Sequence, residues 1–238
     1  MANPFFQFKQ FTVWHDRCAM KVGTDAVLLG AWTDVTDVAT ILDIGTGSGI
    51  LALMLAQKSL HAHIEAIDMD ATAVNQAAEN VEHSPWSDRI MVKHQSWQQF
   101  FAENSAQYDL IICNPPFFRH SLPSPDRQRT MARHDDHFEM ISLLEAIPEH
   151  LQQHAHFDLV YPYRESEKLI IQAESCGLHC RRQTFVKALQ HSLPTRCLLS
   201  FSTSNGSLSQ HEIVIEDGKR HHYTPEYKMI TSEFYLNL

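Results

Sequence analysis

From Thr40 to Phe201, short apolar runs rich in β-branched residues alternate with stretches in which Ala, Leu, Met, Gln and Glu recur. That alternation predicts strands and helices taken in turn, the pattern of βαβ units wound on both faces of a parallel sheet. The apolar runs place strands near Thr40–Ile44, His63–Asp68, Ile90–His94, Asp109–Cys113, His156–Tyr161, Cys197–Ser202 and Glu212–Ile215. Helices are expected at Ile50–Lys58 and Ala71–Val81, which are filled with strong helix formers. A third is expected at about Phe138–His150, with Ile141, Leu144, Glu145 and Ile147 at helical spacing, and a fourth at about Glu165–Ser175, ahead of the natural stop at Gly177. Ser202–Gln210 is rich in Ser, Asn and Gly and reads as an exposed turn, making the last two strands a hairpin. The expected fold is therefore α/β, Rossmann-like, with a seven-stranded, mostly parallel sheet whose last strand is antiparallel.

A chain of 238 residues with 44% hydrophobic composition can bury one substantial core. It reads as a single domain over 1–238, with residues 1–38 as a cap segment before an α/β core at 39–238. No window approaches the roughly 20 uncharged apolar residues of a membrane span, so a soluble, cytoplasmic protein is expected. Cys18, Cys113, Cys176, Cys180 and Cys197 lack paired zinc-site spacing and read as reduced thiols. The 16 histidines form no His-Glu-x-x-His motif, so no metal is expected.

A net charge of -9 argues against a broad electrostatic grip on nucleic acid. Any such site must be local. Between Phe117 and His134, Arg119, Arg127, Arg129 and Arg133 face one acid, Asp126, which fits either a nucleic-acid contact or a solvated loop.

The strongest local signal is Ile41-Leu42-Asp43-Ile44-Gly45-Thr46-Gly47-Ser48-Gly49-Ile50, a buried strand running into a glycine turn and then a helix. Gly45, Gly47 and Gly49 allow a tight turn and close approach of a ligand to bare backbone. The spacing is not the G-x-G-x-x-G of dinucleotide binding, and Asp43 ahead of it suits a ligand carrying an ammonium and a sulfonium rather than a pyrophosphate. Asp68 closes the second strand where doubly wound folds place a carboxylate on ribose hydroxyls, whereas Asp70 reads as a helix N-cap. The glycine run resembles the first motif of class I S-adenosylmethionine methyltransferases. That resemblance implies S-adenosylmethionine as cofactor, held by Asp43, Gly45, Thr46, Gly47, Gly49, Asp68 and Met69. It also places Gln95 and Ser96 at the adenine ring, although the usual Gly-Asp pair is missing there and Ser96 equally fits a helix cap.

Asp109–Cys113 ends in Asn114-Pro115-Pro116-Phe117 at the edge where doubly wound folds bind substrate. The prolines fix the backbone and leave the carbonyls of Asn114 and Pro115 free to accept hydrogen bonds. An amine conjugated to a ring is a poor nucleophile until its N–H groups are held by such acceptors, and Phe117 offers a face on which a planar base can stack. This quartet looks like the fourth motif of amino-methyltransferases, which makes Asn114, Pro115, Pro116 and Phe117 the candidate catalytic group and Asn114 a cofactor contact as well.

Together with Phe8-Lys9-Gln10-Phe11, the run from His15 to Asp25 and Ala132-Arg133-His134, these motifs are similar to the bacterial tRNA adenine methyltransferases that modify the adenine next to the anticodon of valine tRNA. The likeness spans nearly the whole chain. It implies N6-methylation of adenine at position 37, a role for Lys21, Gly23, Thr24 and Asp25 over the cofactor's methionine end, and anticodon-loop contacts by Arg119, Arg127, Arg129, Arg133 and His134. Lys21–Asp25 also fits a simple helix-entry turn, with Thr24 or Asp25 as cap. No obligatory protein partner is evident. The alternatives are a guanine-N2 methyltransferase of ribosomal RNA, a protein glutamine-N5 methyltransferase, which usually has Tyr after the prolines, and a non-enzymatic binding module, which the intact motifs oppose.

Overall fold

The computed structural model describes residues 3–115 and 140–237. Two short strands, β1 (Phe5–Gln7) and β2 (Thr12–Trp14), pair antiparallel ahead of helix α1 (Thr24–Trp32). The alternating core follows: β3 (Thr40–Ile44), α2 (Ile50–Lys58), β4 (His63–Asp68), α3 (Ala71–Glu82), β5 (Ile90–His94), α4 (Trp97–Glu103) and β6 (Tyr108–Cys113). Residues 140–146 are helical (α5) and tighten into a 3-10 turn at Ile147–His150. Next come β7 (Leu151–Pro162), α6 (Tyr163–Ser175), β8 (His179–Leu189), β9 (Arg196–Ser202), β10 (Ser209–Glu216) and α7 (Pro225–Thr231).

The main sheet has the order β10-β8-β9-β7-β6-β3-β4-β5. Neighbours β5, β4, β3, β6 and β7 are mutually parallel. Period-2 alternation buries both faces. Ile41, Leu110, Ile112, Val160 and Leu198 pack with α1 and α2 on one side, while Leu42, Ile111, Phe157, Leu159 and Leu199 pack with the 140–147 segment and α6 on the other. Helix α2 is buried from Ile50 to Ala56: it packs against β4 and β5 and, at its side, against α1, which itself lies on β7 and β9. The approach is close: a β-carbon at Gly30 would lie 2.8 Å from Met54 Sδ. Phe8, Phe11 and Val13, from before α1, share that same core.

The mostly parallel α/β architecture is as expected, but two expectations within it need correcting. The main sheet has eight strands among the described residues, not seven. The antiparallel strand is β9, inserted between β7 and β8 and opposed to both, and the last strand, β10, lies parallel to β8. Ser202–Gln210 is thus no hairpin turn, because β8 occupies the place beside β9. The hairpin is formed by β8 and β9 instead. Strand β8 escapes the hydrophobic pattern because Arg181, Arg182, Gln183 and Lys187 interrupt it. Arg182 is accommodated by lying over the Trp32 ring, 3.8 Å from its centroid, and by donating to the Trp32 carbonyl at 3.1 Å.

The stop at Gly177 forms as read. With φ of 80°, Gly177 donates to Glu174 O at 3.1 Å and Leu178 to Ala173 O at 2.9 Å, the paired bonds of a Schellman cap. The turn after Glu216 also reverses the chain, since Glu216 bridges Tyr223. Tyr227 is buried against Tyr223 and Tyr235, which packs the closing segment onto the core.

Candidate active site

Strand β3 has β4 on one side and β6 on the other, and the chain order reverses there. Ligand crevices of open α/β sheets lie outside the carboxyl ends of the strands at such a switch point. The register makes these ends level: Ile44 pairs with Ile67 and with Cys113, and Asp68 with His94. The residues that follow, from Gly45, Met69, Gln95 and Asn114, therefore converge on one edge. A cleft of about 290 Å³ opens there. Gly45, Gly47, Asp68, Met69, Gln95, Ser96, Asn114 and Pro115 all line it, so both halves of the chemistry read from the sequence meet in one place.

Local bonds set the turn. Gly45 and Thr46 donate to Ile67 O at 2.9 and 3.0 Å, and Gly47 N donates to Asp68 Oδ2 at 2.8 Å. Gly45, Gly47 and Gly49 all have positive φ, at 71°, 56° and 80°. Their surroundings differ. A β-carbon on Gly45 or Gly47 would meet nothing within 4 Å, whereas one on Gly49 would lie 3.3 Å from Ala77 Cβ on α3. The first two keep the cleft floor bare; the third lets α3 pack on the turn.

Asp43 is fully buried. It does not line the cleft but accepts the Thr46 hydroxyl at 2.6 Å, bracing the turn from beneath. Its Oδ1 has no hydrogen-bond partner of normal geometry among the described residues. Burial pushes its carboxyl up to about 7, against the pull of the Thr46 hydroxyl and the Ala52 amide, and neighbouring Asp68 adds to the rise. Asp68 also accepts the Asp70 amide at 2.9 Å through Oδ1, and each oxygen keeps accepting capacity for a ligand. Asp70 caps α3 by accepting from Thr72 N at 2.8 Å, as read. Ser96 likewise caps α4, accepting from Gln99 N at 3.3 Å, and Gln95 donates to Glu103.

The N-terminal run contributes differently from expectation. Cys18, Ala19 and Met20 form a wall of the cleft, whereas Lys21, Gly23, Thr24 and Asp25 do not line it. Gly23 is the N-cap of α1 and no side chain caps that helix, while Asp25 takes Arg196 as its partner at 2.9 Å. Arg17 anchors the run on α3 through Gln76 and Glu79. Asn80 fixes what precedes it: its amide holds both the N–H and the carbonyl of Trp14, at 2.9 and 2.8 Å, and donates to Ser48 O in the glycine turn at 2.8 Å. Trp97, Met140 and Leu143 also line the cleft. Sequence reading passed over them because isolated apolar residues carry no motif. Pro116, Phe117, Arg119, Arg127, Arg129, Arg133 and His134 lie outside the described residues.

The family model of the methyltransferase small domain matches residues 19–135. A curated tRNA1(Val) (adenine(37)-N6)-methyltransferase from Bacteroides thetaiotaomicron is 47% identical, with 100% of each chain covered. The chain belongs to the tRNA1(Val) (adenine(37)-N6)-methyltransferase family. Another member, from Trichodesmium erythraeum, is 42% identical over 99% of both chains. The family's fold recurs in a solved "predicted O-methyltransferase" from Agrobacterium tumefaciens, with a TM-score of 0.68 over 88% of this chain and 96% of that one; at 15% identity this likeness concerns the fold alone. Among the described residues, no helix is long and apolar enough to cross a membrane.

Proposed function

We propose that this chain methylates N6 of adenine 37 in tRNA1(Val), with S-adenosylmethionine as methyl donor, in the cytoplasm. The observation that carries the reading is the convergence of the bare glycine turn and the Asn114–Pro115 turn on one cleft, in a chain matched end to end by enzymes of that name. The guanine-amine and glutamine-amide alternatives are not favoured, because these full-length relatives are named for adenine.

The residues present fit the donor. The floor at Gly45 and Gly47 offers space that β-carbons would fill, and the Asp68 carboxylate at the rim suits ribose hydroxyls. Asp43 supplies a buried negative charge beneath the turn when ionised, and the Asn114 and Pro115 carbonyls suit the acceptor amine. Gln95, Ser96 and Met69 border the same space, on the side of β5. When bound, S-adenosylmethionine supplies an electrophilic methyl on a sulfonium. The protein's part is to hold the amine's N–H groups, aim its lone pair and exclude water, so positioning and fixed dipoles account for the rate.

An extruded loop base costs less than one flipped from a duplex. Phe117 is assigned to stack on it, and Arg119, Arg127, Arg129, Arg133 and His134 to the anticodon-loop phosphates. The test is transfer of labelled methyl from S-adenosylmethionine into tRNA from cells lacking the modification, with an Asn114→Ala control. Label in tRNA that this control reduces at least about a hundredfold supports the reading. Label only in ribosomal RNA or protein overturns it.

A further inference from the structure

Most lysines and arginines among the described residues are engaged internally. Arg17 binds Glu79, Lys93 Glu65, Lys187 Glu212 and Arg196 Asp25, while Lys58 and Arg89 donate to backbone carbonyls. Lys21, Arg164, Lys219 and Arg220 are different: they are exposed, and no hydrogen bond or ion pair holds their side chains among the described residues. All four stand in segments at the carboxyl edge of the sheet, the edge that carries the cleft.

The topology arranges these segments in a row. Strand β7 lies beside β6 and so beside the Asn114–Pro115 turn, and Arg164 follows its end. Tyr163 N donates to Thr195 O at 3.2 Å, which sets the start of β9 next in line. Leu189 pairs with Glu216, bringing the turn after β8 against the turn after β10, where Lys219 and Arg220 sit. At about 4.8 Å per strand, β10 stands four places and roughly 19 Å from β6. That corresponds to about five or six stacked nucleotides at 3.4 Å per nucleotide. The acids on the outer turn are engaged, Glu216 by the His221 amide and Asp217 by the His222 ring. The opposite edge exposes Asp34, Asp37, Asp88 and Glu149.

We propose that Arg164, Lys219 and Arg220 form a ledge that docks the phosphate backbone of the substrate RNA away from the reacting base. The proposal rests on the functional reading above and adds a second contact surface to it. Free cations in a row that starts at the cleft give an acidic protein local purchase on an anionic strand, without a basic face elsewhere. A base held at Asn114 leaves the neighbouring helical strand about the right span to reach Lys219 and Arg220.

The experiment measures binding of unmodified tRNA1(Val) transcript over a salt series for wild type, Arg164→Ala and the double variant Lys219→Ala/Arg220→Ala. S-adenosylmethionine affinity and turnover on a short anticodon-loop oligonucleotide serve as companion readouts. Each lost phosphate contact lowers the slope of log affinity against log salt by roughly 0.7–0.9, so the double variant should lose about 1.5 and Arg164→Ala about half of that. Affinity for tRNA near 0.1 M salt should fall roughly five- to tenfold in the double variant, with both companion readouts unchanged. A wild-type slope in the variants, an equal loss on the oligonucleotide, or a wild type that binds no tRNA would each overturn the ledge. A wild type that binds tRNA through these residues yet transfers no methyl would instead count against the functional reading.

Discussion

Replacing Gly47 and Gly49 separately by Ala should divide the glycine turn into a ligand-facing part and a packing part. Both residues have positive φ, so a β-carbon at either position strains the backbone by roughly 1–2 kcal/mol. At Gly47 the strain is the whole structural cost, because the new carbon meets no atom within 4 Å. For a chain of this size that lowers Tm by about 2–8 °C. The carbon enters the cleft, however, and S-adenosylmethionine affinity should fall at least tenfold, about 1.4 kcal/mol. At Gly49 the carbon comes 3.3 Å from Ala77 Cβ, so crowding on α3 adds roughly another 1 kcal/mol or more, with a larger drop in Tm. Its cofactor affinity should change less than about threefold, the scatter expected of a position that does not line the cleft. Calorimetric titration and thermal melts on the same samples decide the matter. Equal losses of affinity in both variants, or none at Gly47, would refute the assignment of the bare floor to the cofactor.

Two further outcomes follow from buried polar groups. Asp43, held up to about 7 by burial, binds a proton in the folded state that the unfolded chain releases near pH 4. Its contribution must therefore make stability fall as pH rises from about 4 to about 7, by at most about 1.4 kcal/mol per unit, and level off above. Urea unfolding of wild type and Asp43→Asn across that window should show their difference changing with this sign; a difference independent of pH would contradict it. Asn80→Ala removes three hydrogen bonds of a buried side chain that link β2 to the glycine turn and should cost about 2–3 kcal/mol, or roughly 4–12 °C in Tm. A melt within 1 °C of wild type, on the order of a negligible effect, would show that the link is not structural.

The legible parts of this molecule were those with local causes. Strands with continuous apolar runs, such as Leu110–Cys113, and the Gly177 stop could be read because the pattern and the terminating residue lie side by side. The glycine turn and the Asn114–Pro115 turn were legible for the same reason, and the level strand ends of β3 and β6 then bring them together. Strand β8 was hidden because its arginines take partners far away in sequence, Arg182 at Trp32 and Arg181 at Ser204 O. The cleft wall at Cys18–Met20 was misplaced by a few residues toward Lys21–Asp25, since only the anchors at Arg17 and Asp25 decide which part of the run overhangs the ligand space. No local signal marks Trp97 or Leu143 as lining residues; the packing of α4 and α5 beside the strand ends puts them there.

In the proposed function, one cleft joins the donor to a single adenine amine. The most direct test is nucleoside and fragment mass spectrometry of unmodified tRNA1(Val) incubated with the protein and S-adenosylmethionine. N6-methyladenosine is expected in the anticodon-loop fragment that contains adenine 37, and none with Asn114→Ala. A methyl group on another nucleotide, or on no nucleotide of this tRNA, would contradict that function.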